Sequence, residues 1–253
     1  MSCVADAPSS RQQRERDFHN ESFAEGTRAR AAKFYAVHRS SQAAYDGLIH
    51  DRPASRDVLE YGCGRGSAAF DLAAAGARVT GIDISDVAID LATRRAAELG
   101  LADRLRFCVM DAERLSFEDA SFDLVCGSAI LHHLDCARAY GEIARVLRPG
   151  GRAVFVEALG HNPLINLYRR RTPRLRSVDE QPLRIADLEL ARRYFAEARF
   201  EYFHLASLAA LPLRRQRAFP AVVGALERAD QMLFRRVPYL RRHAWMAILA
   251  LTR

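Results

Sequence analysis

The chain has 253 residues, 49% of them hydrophobic, and a formal charge of +7; this is enough for one large α/β domain with a packed core. No apolar run reaches the length of a membrane span. The polar start, Met1 to Ser10 followed by Arg11-Gln-Gln-Arg-Glu-Arg, lacks the apolar core of a signal peptide, so a cytoplasmic location is expected. Five cysteines, Cys3, Cys63, Cys108, Cys126 and Cys136, occur singly without C-x-x-C spacing, which points to neither a disulfide framework nor a thiolate zinc site.

The charge is uneven, with 19 basic and 22 acidic side chains in residues 1–150 against 19 and 9 in residues 151–253. The basic half is compatible with an anionic substrate, with a peripheral membrane contact, or simply with arginine-rich solvated helix faces. Residues 1–15 are polar and are expected to be disordered. Residues 16–52 are expected to form an N-terminal helical cap of two helices, the second starting near Thr27, with an aromatic stripe that includes Tyr35. Tyr35 and His38, three apart on one helical face, are candidate substrate-lining residues, although such aromatics more often serve packing.

From Asp57 the chain reads Asp-Val-Leu-Glu-Tyr-Gly-Cys-Gly-Arg-Gly-Ser-Ala-Ala. Val58 and Leu59 suit the end of a buried parallel strand, and Gly62, Gly64 and Gly66 a sharp turn. Ser67 to Ala75 has helical composition. Alternate glycines let the backbone approach a ligand while the following helix presents unpaired N–H groups. The E-x-G-x-G-x-G spacing is neither the dinucleotide nor the phosphate-loop pattern. Glu60, ahead of the glycines, suits a ligand carrying an ammonium group. Arg78-Val-Thr-Gly-Ile-Asp83-Ile84 reads as a second strand ending in an acid that can accept both ribose hydroxyls.

These two motifs in register resemble the class I S-adenosylmethionine-dependent methyltransferases. The resemblance implies S-adenosylmethionine as cofactor and S-adenosylhomocysteine as its product. It places Glu60, Gly62, Gly64, Gly66, Asp83 and Ile84 around that cofactor. Ser85 suits the cap of a helix over 86–99 closed by Gly100. Arg104 to Asp111 reads as a third strand, after which the resemblance sets Asp111 against the adenine amino group and the Ala112 N–H beside the ring.

Ser121 to Asp135 contains a fourth strand and its loop, with Ser128 expected near the methionine part of the cofactor. A helix over 137–147 and the turn Arg148-Pro-Gly-Gly151 follow. The L-H-H-L and L-R-P-G-G strings resemble the small-molecule, quinone-type branch of the family. The [DN]-P-P-[YF] string of polynucleotide amine methyltransferases is absent from this loop, so nucleic acid is disfavoured. After a strand over 153–157, residues 158–184 are expected to form a substrate lid with a short helix over 164–171. A helix over 185–196 and a strand over 199–207 come next. Residues 208–242 form a helical insertion before a last strand over 243–251.

An acceptor hydroxyl needs a base, and histidine suits that role near neutrality. His133 and His161, on loops leaving strand ends, are the candidate bases. His132, Glu157, Asn162 and Tyr168 are candidate substrate contacts, with Glu157 also able to orient a histidine. The tandem His132 and His133 beside Asp135 invite a metal reading, but no third ligand at a recognisable spacing supports it, so no metal is expected to be required.

The expected fold is a doubly wound, seven-stranded, mostly parallel α/β sheet of the Rossmann-like methyltransferase type, spanning residues 53–253, with its last strand antiparallel. The expected function is methyl transfer to a small molecule, most readily on oxygen, with carbon or nitrogen acceptors open, in a monomer or homodimer. The rival readings are an RNA methyltransferase, a nicotinamide-dependent oxidoreductase and a non-catalytic cofactor-binding protein.

Overall fold

A computed structural model of the chain describes residues 9–25, 36–173 and 177–253. Its centre is a seven-stranded sheet in the order β3-β2-β1-β4-β5-β7-β6. The strands are β1 (Asp57–Tyr61), β2 (Arg78–Asp83), β3 (Leu105–Val109), β4 (Phe122–Ser128), β5 (Leu147–Ala158), β6 (Glu197–Phe203) and β7 (Met246–Thr252). Only β7 runs against the others, wedged between β5 and β6. Val58 to Tyr61 are all buried, as a central parallel strand covered on both faces requires.

Helices cover both faces. On one side Tyr45 and Ile49 of α2 (Arg39–Ile49) pack with Leu72 of α3 (Ala69–Ala74) and Ala96 of α4 (Asp86–Glu98). On the other, Ile143 of α5 (Cys136–Val146) joins Leu188 of α7 (Ile185–Leu190) and Phe234 of α8 (Phe219–Arg236). The helix α6 (Pro163–Arg171) follows β5. The inserted α8 is held to its own domain: buried Asp230 accepts the N–H groups of Leu205, Ala206 and Ser207, and Gln231 donates to the Tyr202 carbonyl. Among the described residues no helix is long and apolar enough to cross a membrane.

The strand order reverses between β1 and β4, which opens a crevice beyond their carboxyl ends. Several boundaries differ from expectation. The first helix, α1, spans Ser10–Glu25, so it begins inside the stretch expected to be disordered. The second begins at Arg39 rather than near Thr27, and Tyr35 lies outside the described residues. The expected turn at Arg148–Gly151 is a bulge within β5: Leu147 faces Phe122 and Arg152 faces Leu124, so the four residues between them loop out opposite Asp123 alone.

Candidate functional site

The crevice has a volume of about 620 Å³. One wall is the glycine turn. Gly62, Gly64 and Gly66 all have positive φ, and a Cβ on Gly62 would stand 2.6 Å from Ile130 of the facing loop. A side chain at Gly62 would therefore be strained twice, by backbone and by contact.

Asp83 ends β2 at the same edge. Its Oδ2 accepts the Gly64 N–H at 2.8 Å and its Oδ1 the Ser85 N–H at 2.9 Å. Each oxygen accepts one N–H and Asp83 lines the crevice, so the carboxylate fixes the turn and retains capacity to accept from a diol. Ser85 caps α4 by accepting from Ala88. Asp111 and Ala112 follow β3 on the same wall, with Ile84 between the two acids and Ser128 and Ala129 closing the base. The Asp111 carboxyl is raised from its usual range, chiefly by burial and despite the Glu113 N–H it accepts.

Glu60 does not face the crevice. It is fully buried, with Oε1 accepting from Ser67 Oγ at 2.5 Å and Ala68 N–H at 2.7 Å, and Oε2 accepting from Ala69 N–H at 3.1 Å. The expected ammonium contact is therefore corrected. The unpaired amides at the start of α3 draw the carboxylate under the turn instead, and burial still pushes its pKa up.

The opposite wall belongs to α1, through Arg11, Gln12, Glu15 and His19. None of these four was singled out from the sequence. Arg11 bonds Glu113 and donates to the His133 carbonyl at 2.9 Å; Gln12 donates its amide to Asp111. Arg14 pairs with Asp179, and Ser177 donates to Glu15, tying α1 to the segment after α6. Asn20 accepts from Ser85. The strap is polar, which is why an apolar-periodicity reading passes over it. A local signal exists: Ser9 and Gln12 form a reciprocal S-x-x-Q cap, Gln12 N–H to Ser9 Oγ at 3.3 Å and Ser9 N–H to Gln12 Oε1 at 2.7 Å.

The histidines separate. His133 lines the crevice, its Nδ1 standing 3.1 Å from Glu15 Oε2, and burial lowers its pKa so that the neutral imidazole is favoured. His132 points away from the crevice lining. Its Nδ1 meets Glu157 Oε2 at 2.7 Å, while Glu157 Oε1 accepts the Ile130 and Leu131 N–H groups. Burial alone would lower the His132 pKa, but the Glu157 carboxylate raises it. Glu157, completely buried, thus shapes the loop that carries both histidines rather than touching the crevice.

Four further candidates fall elsewhere. His161 is outside the crevice lining, beside His243, which contacts its carbonyl. Asn162 is buried as the cap of α6, accepting from Leu164 and Ile165 and donating to His243. Tyr168, on α6, is not part of the lining. His38 sits on another side of the sheet, stacked on His204 and edge-on to Trp245. A short aromatic spacing cannot tell a crevice wall from this packed cluster.

Residues 59–155 match the family model described as a methyltransferase domain. The 27-O-demethylrifamycin SV methyltransferase of Amycolatopsis mediterranei is 42% identical over 108 residues, covering 42% of this chain and 39% of that protein. The sterol 24-C-methyltransferase erg-4 of Neurospora crassa is 40% identical over 118 residues, 46% of this chain and 30% of that protein. The matches thus span less than half the length of these curated relatives. Among solved structures, the geranyl diphosphate C-methyltransferase of Streptomyces coelicolor A3(2), crystallised with Mg2+, geranyl diphosphate and S-adenosyl-L-homocysteine, superposes with a TM-score of 0.68. It is 17% identical and covers 98% of this chain and 100% of that one, a likeness of fold.

Proposed function

We propose that this chain, which through residues 59–155 belongs to the class I S-adenosylmethionine-dependent methyltransferases, transfers a methyl group to an oxygen of a small-molecule acceptor. The observation that carries the reading is a single crevice bounded by the glycine turn, Asp83 and Asp111 on one side and by His133 on the other.

The donor set fits S-adenosylmethionine. Asp83 has lone pairs for the ribose hydroxyls, and Asp111 already accepts an amide N–H from Gln12, the kind of donor an adenine amino group offers. Ala112 and Ile84 would flank the base, and Gly62, Gly64, Gly66 and Ser128 the methionine part. Glu60 works one step back, holding the turn in shape. Bound S-adenosylmethionine supplies a methyl group on a cationic sulfur whose leaving group is a neutral thioether. The chain's task is then to align the acceptor and exclude water, and the α1 strap serves that exclusion.

His133 is the residue placed to take a proton from an acceptor hydroxyl. With its own proton on Nδ1, beside Glu15, the lone pair is on Nε2. We assign His161, which is not part of the crevice lining, no part in this step. The crevice suits a small acceptor more than a polynucleotide, and we assign the activity to a monomer or homodimer in the cytoplasm.

The test begins with calorimetric titration of S-adenosylhomocysteine, S-adenosylmethionine and NADH. Micromolar binding of the first two alone is expected; NADH binding without them overturns the reading. Labelled methyl incorporation is then screened over hydroxylated small molecules. Carbon methylation is the second reading, favoured by the names of two of the similar proteins, and the labelled position in the product separates the two.

A further inference from the structure

Glu15, His19 and His133 meet at the mouth of the crevice, and one ligand atom from each lies within 4.8 Å of the other two. Their side chains are 7%, 14% and 11% exposed, so the group is enclosed rather than a chance surface cluster. Glu15 Oε2 stands 3.1 Å from His133 Nδ1 and 3.5 Å from His19 Nε2. Around a cation with bonds near 2.1 Å, neighbouring ligand atoms stand roughly 3–3.5 Å apart. The two separations measured from the carboxylate match that edge length.

A second observation is independent of the spacing. Glu15 Oε2 and His133 Nδ1 are both buried without a hydrogen-bond partner, because the angle between them is wrong for a hydrogen bond. In the other His133 tautomer, with the ring proton on Nε2, both are lone-pair atoms without a common partner, and a cation between them would supply it. We propose that Glu15, His19 and His133 form a binding site for a divalent transition-metal ion of the zinc class, closing α1 over the crevice.

Two imidazoles and one carboxylate are a donor set for such ions and leave coordination positions open. Burial alone would raise the Glu15 carboxyl, but the two histidines and Ser177 more than reverse it, so the ligand is anionic at neutral pH. A second grouping, His132, His133 and Glu180, shares His133. His132 is committed through Nδ1 to Glu157, so the first group is preferred. The site is not a requirement of methyl transfer. A cation on His133 Nδ1 puts the ring proton on Nε2, so occupancy and proton acceptance exclude each other, a consequence that rests on the reading of His133 above.

The experiment uses the full chain, stripped with chelator and titrated with Co2+, followed by its visible absorption and by calorimetry. One Co2+ per chain is expected. Affinity should fall at least tenfold in Glu15→Gln, His19→Ala and His133→Ala, and stay unchanged in His161→Ala. Absence of uptake, or equal uptake by the wild type and the triple variant, overturns the site. The near-isosteric Glu15→Gln decides the matter if a histidine variant loses its cooperative melt. S-adenosylhomocysteine titrated into the same stripped protein separates failure of the cation site from failure of the methyltransferase reading. With an acceptor in hand, saturating Zn2+ should lower turnover at least tenfold, reversibly with chelator; unaffected turnover overturns the exclusion.

Discussion

Two regions of this molecule bury histidines and carboxylates, and they do so to opposite ends. At the crevice Asp83 and Asp111 hold backbone N–H groups and line the cavity with accepting capacity to spare, and His133 stands beside Glu15 on the same lining. Beside β6 and β7, Ser41, His204 and Asp230 are buried with their polar atoms bonded to each other or to nearby N–H and carbonyl groups, and the His38 ring stacks on His204. Burial of a polar side chain thus does not by itself mark a working site: a second cavity, of about 770 Å³, adjoins His204 and Asp230, but the groups there are already committed to partners. The second cluster is a means of packing polar groups between sheet and helices.

The largest effects that could break this contrast lie at the crevice. His133→Ala should lower turnover by about 10²–10⁴-fold with little change in S-adenosylhomocysteine affinity, whereas His161→Ala should stay within about twofold. Equal losses in the two variants, measured by methyl incorporation, would place the base elsewhere. Asp83→Ala should weaken S-adenosylhomocysteine on the order of 100-fold, since it removes charged acceptors for two hydroxyls and frees the Gly64 N–H. Unchanged affinity by calorimetry would show that the ribose is bound elsewhere.

Glu60→Gln sharpens the contrast from within the crevice wall. An amide offers one accepting oxygen where three donors converge, and its NH2 would face another donor. A loss of about 2–3 kcal/mol of stability in urea is expected, with a smaller loss of cofactor affinity than Asp83→Ala causes. If affinity collapsed while stability held, Glu60 would be the ammonium partner after all.

The glycine wall was legible because its causes are local. Gly62, Gly64 and Gly66 need positive φ within one turn, Ser85 caps the helix it precedes, and the β2 acid reaches back to Gly64 across adjacent parallel strands. The opposite wall was not legible, because its causes are distant. Arg11 finds Glu113 and Arg14 finds Asp179, 102 and 165 residues away, and no short-range period announces such pairs. Glu60 and His38 were misplaced for a related reason. A strand or helix position fixes the face a side chain leaves from, but the competing partners, the α3 amides for Glu60 and His204 for His38, are set by tertiary packing.

The effect that is smallest at neutral pH comes from the packed cluster and grows on acidification. Ser41 Oγ donates to the His38 carbonyl, so its oxygen accepts from His204 Nε2–H at 2.9 Å, and Ser207 Oγ, 3.4 Å away, faces the Nδ1 lone pair. Neutral His204 is satisfied, and protonation would bury a charge beside His38. Burial, helped by His38, accordingly drives its pKa down to about 3 from 6.5, although Glu227 stands 4.0 Å off. Between those values the unfolded chain binds the proton and the folded chain does not. This contribution to stability is therefore complete above pH 6.5 and is lost as pH falls toward 3, by about 1.4 kcal/mol per pH unit. His204 has φ of 64°, a conformation asparagine tolerates, so His204→Asn should fold and show a shallower acid slope in urea titrations. An unchanged slope would mean that His204 is charged in the folded protein, and that this cluster, like the crevice, keeps a group poised to exchange protons.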